Sequence, residues 1–241
     1  MPVPVSTYRI QFHKDFTLRN LIGIIPYLHG LGVSTVYASP IFKAVPGSTH
    51  GYDILEPHAL NPEIGTEADL LEASALLKAR GMAWLQDIVP NHMAFDLGNG
   101  WLCDVLEKGS RSAYYPCFDI NWDDARYPGQ VMLPWLASSL AEAVTQGQIG
   151  LQFGEQGFHI RFQDKTLPLD YYQHIGMVKA LLQAWENGDS METELYRQLR
   201  QLAEQPPLEW LEWKIMKSRF FQTGYQNAEF QRMIQIGRAH V

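Results

Sequence analysis

Apolar and polar residues alternate from Thr7 to Phe12, and a turn-like His13-Lys14-Asp15 follows. That period of two predicts a first strand. From Thr17 to Leu31 the period changes: Leu18, Leu21, Ile22, Ile25, Leu28 and Leu31 recur three and four apart, the stripe of an amphipathic helix that stops at Gly32, with Pro26 as a potential kink. Val33–Tyr37 is apolar and rich in β-formers, and Ser39-Pro40 breaks it, giving a second strand and a long loop. Thr66 with Asp69 three positions later resembles a capping pair, and Leu70, Leu71, Ala73, Leu76 and Leu77 carry a second helix toward Gly81. Met82–Val89 reads as a third, mostly buried strand. Near-continuous apolar strands alternating with helices argue for a parallel sheet covered by helices. An eight-stranded barrel and an open doubly wound sheet both satisfy that pattern.

Beyond residue 94 the rhythm stops. Trp101–Trp122 is rich in aromatic and small polar residues, Ile149–Phe153 and Phe158–Phe162 predict a hairpin around Gly154–Gly157, and the chain turns helical after Tyr171. Asp189 and Glu192 predict the boxed start of a helix through Leu202, and Pro206-Pro207 interrupts before a further helical stretch to about Ile234. No strand-helix unit returns, so residues 95–235 read as a mixed, mostly helical insertion after the third strand, and 1–94 as three units of an α/β domain. The six residues Ile236–Val241 read as the translation of a sequencing-library adapter, so 236–241 is set aside as a non-native tail.

The 241 residues are 46% hydrophobic and 19% charged, ordinary for a globular chain with a sizeable core. With 19 Lys and Arg against 26 Asp and Glu, the formal charge of −7 leaves no basic field for nucleic acid or an anionic membrane. Cys103 and Cys117 lack ligand spacing, so reduced thiols are expected and no zinc site. The opening Met1–Ser6 lacks the basic end and apolar run of a secretory leader, and no stretch is long enough to span a bilayer, so the expectation is a cytoplasmic protein. Seven Trp and eleven Tyr would suit sugar binding, although aromatic residues serve a core equally well.

Reactive groups of a barrel gather at the C-terminal ends of its strands, where the loops converge. Two stretches fall there: Ser39-Pro40-Ile41 continuing to Gly47–Asp53 after the second strand, and Asp87-Ile88-Val89-Pro90-Asn91-His92 after the third. Read alone, Asp87, Asn91 and His92 could simply close a strand end through side-chain to backbone hydrogen bonds, and Tyr52 beside Asp53 could pack a glycine-rich loop.

Asp87 followed by Asn91-His92 resembles the first conserved region of the α-amylase clan, glycoside hydrolase family 13. Around it, Tyr8–Gln11, Pro26–Leu28, Leu31–Ser34, Tyr37–Pro40, Pro46–Asp53, Asn61–Gly65, Asp104–Glu107 and Phe118–Asp123 resemble, in order and spacing, the opening of maltooligosyl trehalose synthases. The resemblance implies the first three strands of a TIM (β/α)8 barrel, with the chain ending before strand four. It implies that Tyr52 stacks on the sugar at the cleavage subsite and that His92 hydrogen-bonds a hydroxyl of the same ring. Asp87 would orient the mouth by pairing with an arginine near the nucleophile on the fourth strand. Asn91 matches a position that helps hold calcium in some clan members, but no full set of oxygen ligands accompanies it, so neither metal nor cofactor is assigned. His50 and Asp53 would shape the pocket entrance or hold the loop.

Retaining glycosidases need two carboxyl groups about 5 Å apart. By the resemblance these follow strands four and five, so no catalytic residue is assigned here, and Glu107, Asp119, Asp123 and Asp124 keep solvated or capping roles. The implied whole enzyme attacks the reducing-end α-1,4 bond of a maltooligosaccharide. It forms a glycosyl-enzyme and returns the released glucose to make an α,α-1,1 (trehalose) end, with the insertion as a lid; this stretch alone is expected to be inactive. The alternatives are an α-amylase-type hydrolase, with water as acceptor, and a non-catalytic glucan-binding module, which a downstream Arg-x-Asp motif would eliminate.

Overall fold

A computed structural model of the chain describes residues 4–133, 135–154, 157–163, 165–186 and 194–204, together with 214–215, 218 and 222. The predicted pair Asp189 and Glu192, most of the helical stretch toward Ile234 and the tail from Ile236 lie outside the described residues. The chain divides into two compact units, Met1–Leu102 and Cys103–Val241.

In the first unit β1 (Thr7–Ile10), α1 (Leu18–Gly30), β2 (Thr35–Ala38), β3 (Phe42–Ala44), β4 (Ile54–Leu60), α2 (Glu67–Ala79) and β5 (Ala83–Gln86) follow in turn. β2 is the middle of a parallel sheet: Thr7, Thr35 and Ala83 stand in register at one end, and Ile10, Ala38 and Gln86 at the other. Both parallel crossovers therefore carry a helix, as the sequence predicts. α1 forms because its leucines fall on one face: Leu18, Leu21, Ile25 and Leu28 are wholly buried, each worth about 2 kcal/mol of apolar burial. Asn20 caps its start by accepting the Thr17 amide at 2.8 Å, and Gly32, at φ 88°, turns the chain away after its end. α2 opens on the predicted box, with Asp69 Oδ2 accepting the Thr66 amide and hydroxyl at 2.8 and 2.7 Å. An ion pair from Arg19 to Asp69 and one to Glu72 at 2.7 Å tie α1 to α2.

The core of this unit lies between the helices and one face of the sheet. Ile10, Phe12, Val36, Ala38 and Met82 meet α1 and α2 there, with Phe12 stacked on Trp84 at 6.0 Å. Side chains alternate along a strand, so Arg9, Tyr37 and Leu85 belong to the opposite face.

Two expectations change. The long loop after β2 contains an antiparallel pair, β3 with β4, which its Pro and Gly residues disguise. The third strand is also not mostly buried: β5 is half exposed and Leu85 is 45% exposed. Among the described residues β5 pairs only with β2, and Leu85 is exposed on the face opposite the core.

A helix α3 (Gly100–Lys108) spans the division between the units. The second unit continues with α4 (Leu140–Thr145), β6 (Ile149–Gly154), β7 (Gly157–Phe162), β8 (Lys165–Pro168), α5 (Tyr171–Glu186) and α6 (Glu194–Glu204). The predicted hairpin is β6–β7, and β8 extends it to a three-stranded antiparallel sheet. Its core joins Leu151 and Phe158 to Ile175, Val178, Leu182 and Leu199 of the helices. His174, buried on α5, accepts the Phe158 amide at Nε2 over 3.1 Å, so a polar bond fastens helix to sheet inside that core. Cys103 is half-buried and Cys117 exposed. No helix of the described residues is long and apolar enough to cross a membrane.

Candidate functional site

Arg9 sits in the middle of β1, and register sets it beside Tyr37 of β2, which is in turn beside Leu85 of β5. Asp87 follows β5 directly and shares the parity of Leu85; its amide bonds Ala38 O at 2.9 Å, so the parallel ladder still fixes its backbone. The guanidinium of Arg9 lies over the Tyr37 ring, with Cζ 4.3 Å from the centroid. From there it forks: Nη1 donates to Asp87 Oδ2 at 2.8 Å and Nη2 donates to the Tyr52 hydroxyl at 2.7 Å. Tyr52 closes the triangle by donating its hydroxyl to the same Asp87 oxygen at 2.5 Å. Three segments distant in sequence thus meet at the C-terminal end of the parallel sheet.

The electrostatics follow from that geometry. The Tyr52 hydroxyl first, then the Arg9 guanidinium, hold the Asp87 carboxyl below the usual carboxylate range. The Asp87 carboxylate pushes the Tyr52 phenol up, so that hydroxyl keeps its proton. One cation faces one anion, which leaves an aromatic ring in a locally neutral site. Such a site suits an uncharged polar ligand.

The loop carrying Tyr52 is braced throughout. Ser48 Oγ donates to Asp53 Oδ1 at 2.5 Å and accepts the Gly51 amide at 3.1 Å; Asp53 therefore holds the turn. Gly51 has φ 74°, and a Cβ there would stand 2.7 Å from Pro40 O, so the turn admits no side chain. His50 Nδ1 accepts the Tyr52 amide at 3.1 Å, and the two rings lie 5.9 Å apart. The same nitrogen is 3.7 Å from Asp53 Oδ1, an ion pair that would need a proton where the amide bond needs a lone pair. The shorter contact governs, and Nδ1 serves as the acceptor of the Tyr52 amide. Gln11, just after β1, donates to His50 O at 2.8 Å.

Of the sequence-predicted residues, the structure brings Tyr52 and Asp87 into direct contact and sets the His50 ring at a tilt beside Tyr52, while Asp53 serves the turn. Asn91 and His92 are exposed and paired with each other, Oδ1 to Nδ1 at 3.2 Å; neither hydrogen-bonds to the triangle. Among the described residues no three His, Cys, Asp or Glu side chains cluster as metal ligands would. Sequence reasoning missed Arg9 and Tyr37. Arg9 was discoverable, because a charge on the sheet face opposite the buried Ile10, at a strand end where reactive loops converge, calls for a partner on that face. Its partnership with Asp87, 78 positions away, has no local signal.

Comparison with known proteins completes the picture. The family described as alpha amylase, catalytic domain, matches residues 13–135, just over half of the chain. A Mycobacterium tuberculosis protein assigned as a maltooligosyl trehalose synthase is 42% identical over 141 residues, 56% of this chain and 18% of its own. A solved maltooligosyl trehalose synthase superposes with a TM-score of 0.65 at 33% identity, over 72% of this chain and 24% of that one. The maltooligosyltrehalose synthase of Arthrobacter ramosus gives 0.61 at 35% identity, over 68% and 21%. The chain thus spans less than a quarter of the length of each of these relatives. With a parallel strand-helix unit, an Asp at the end of its third parallel strand and a family match running through both, the chain belongs to the alpha-amylase catalytic-domain family.

Proposed function

We infer that this chain contributes the sugar-holding portion of a glucan-converting enzyme, one that turns the reducing-end α-1,4 linkage of a maltooligosaccharide into an α,α-1,1 linkage. The observation that carries this reading is the Tyr52 ring, fixed at the C-terminal end of a parallel sheet by Arg9 and Asp87, whose charges offset each other. A pyranose presents apolar C–H faces and neutral hydroxyls, so it stacks on such a ring with nothing charged to desolvate. His92, exposed in the loop after Asp87, supplies a hydroxyl partner for the same sugar.

The acceptor choice separates this reading from plain hydrolysis. Released glucose must outcompete water at roughly 55 M, and effective molarities well above that are ordinary for a reactant held in place. A residue that grips the leaving glucose is therefore worth more to a transferring enzyme than to a hydrolase, and Tyr52 is suited to that grip. Likeness to the trehalose-forming structures over 68–72% of the chain favours transfer over hydrolysis. The nucleophile and the acid are supplied, on this reading, by the carboxylates that follow strands four and five of a (β/α)8 barrel begun by β1, β2 and β5.

Isothermal titration of the chain with maltopentaose tests the binding role. Tyr52→Ala is expected to weaken binding about tenfold, equivalent to about 1.4 kcal/mol. Equal affinity of parent and variant would reject the site.

A further inference from the structure

Resting on the reading that Tyr52 offers its ring to a sugar, we propose that Arg9 is a positioning residue of this site: its forked guanidinium locks the Tyr52 phenol and the Asp87 carboxylate into one unit and so sets the plane of the Tyr52 ring. Tyr52 lies in the nine-residue loop 45–53 between β3 and β4, where no ladder holds it. Its hydroxyl has one proton and, with Asp87 accepting that proton and Arg9 donating to the oxygen, both roles are filled. A phenol held by one hydrogen bond can hinge about it. Two bonds, to partners on different strands, fix the direction in which the ring faces. They also leave the hydroxyl committed, so the ring face is what remains to meet a ligand.

The anchor itself is rigid. Arg9 is held mid-strand in β1 with Ile10 buried behind it, and its plane rests on Tyr37. A planar fork can serve two acceptors at a set separation, whereas a lysine ammonium is a point donor on a flexible stem. A purely structural role accounts for this arrangement less well. The Arg9 side chain is about a third exposed, and two of its five N–H groups carry the whole network. A partly buried, solvent-screened ion pair of this kind adds only modestly to folding. What it does restrict is the torsional freedom of a loop aromatic, which would otherwise be lost at the moment of binding.

The experiment combines a ligand-free and a ligand-dependent readout on the 241-residue chain. Tyrosine is labelled with ¹³C at Cζ and Tyr52 is assigned through Tyr52→Phe. In Arg9→Gln the Tyr52 titration midpoint is expected to rise further, because the guanidinium that opposes the effect of Asp87 is gone. Maltopentaose affinity should fall about tenfold with only a small drop in the urea midpoint. Arg9→Lys restores the charge without the fork, so it should return the phenol midpoint toward the parent value while recovering little affinity. Arg9→Gln combined with Tyr52→Phe should bind no more weakly than the worse single variant. Full recovery of affinity by Arg9→Lys, or losses that multiply in the double variant, would overturn the proposal. If the parent binds no maltopentaose, the functional reading fails by itself and the phenol decides: an upward shift in Arg9→Gln sustains the anchor, and an unmoved midpoint overturns it.

Discussion

Asp87 carries the electrostatic load of the site. Its folded carboxyl is held below the ordinary range, by the Tyr52 hydroxyl and then by Arg9. A lowered acid pKa contributes stability that is fully present above the unfolded value and is lost as pH falls through the folded one. Urea unfolding over a pH series should therefore find the parent more stable than Asp87→Asn at neutral pH, with the difference closing in acid below the ordinary carboxylate range. A constant difference across the series would mean that the carboxylate is not paired as described. Gly51 is the other decisive residue. Alanine there must adopt a left-handed conformation costing about 1–2 kcal/mol and must also displace Pro40 O, 2.7 Å from its Cβ. Gly51→Ala should lower the unfolding free energy by at least that much and, by shifting the following residue, weaken maltopentaose binding. Unchanged affinity would show that the turn is not what holds Tyr52.

At the scale of elements, α1 and α2 are placed by their ends as much as by their apolar faces. Thr66 and Asp69 exchange three hydrogen bonds across the first turn of α2. Thr66→Ala removes the hydroxyl that caps the helix and should cost about 1 kcal/mol, read as a lower urea midpoint with the slope preserved. The helices, the alternation of β1 and the apolar, β-rich run of β2 were legible in the sequence, since such patterns are written within a dozen residues. The β3–β4 pair was not. It has three residues on one side, two register shifts and a proline in β4, so local pattern and pairing disagree.

For the molecule as a whole, the sheet of the first unit presents two outer edges. Among the described residues β1 and β5 each pair on one side only, and Leu85 and the following Ile88 are 45% and 61% exposed. Unpaired strand edges flanked by exposed apolar residues recruit other strands. Sedimentation velocity should show association that grows with protein concentration and weakens in Leu85→Lys. A monodisperse monomer at every concentration would show that the edge is protected.

The sequence alone determined the local elements and the two motif loops: the apolar stripes, the cap at Thr66, and the run from Gly47 to Asp53 with Asp87 to His92. These depend on neighbours within a few positions, which any stretch of sequence records. Tertiary structure alone decided that Arg9 is the cation of Asp87 and that Tyr52 bonds both. The physical reason is that hydrogen bonds between residues 35 to 78 positions apart form only once parallel strands fix their register. Many partners satisfy the same donors and acceptors on paper, and only the assembled sheet selects among them.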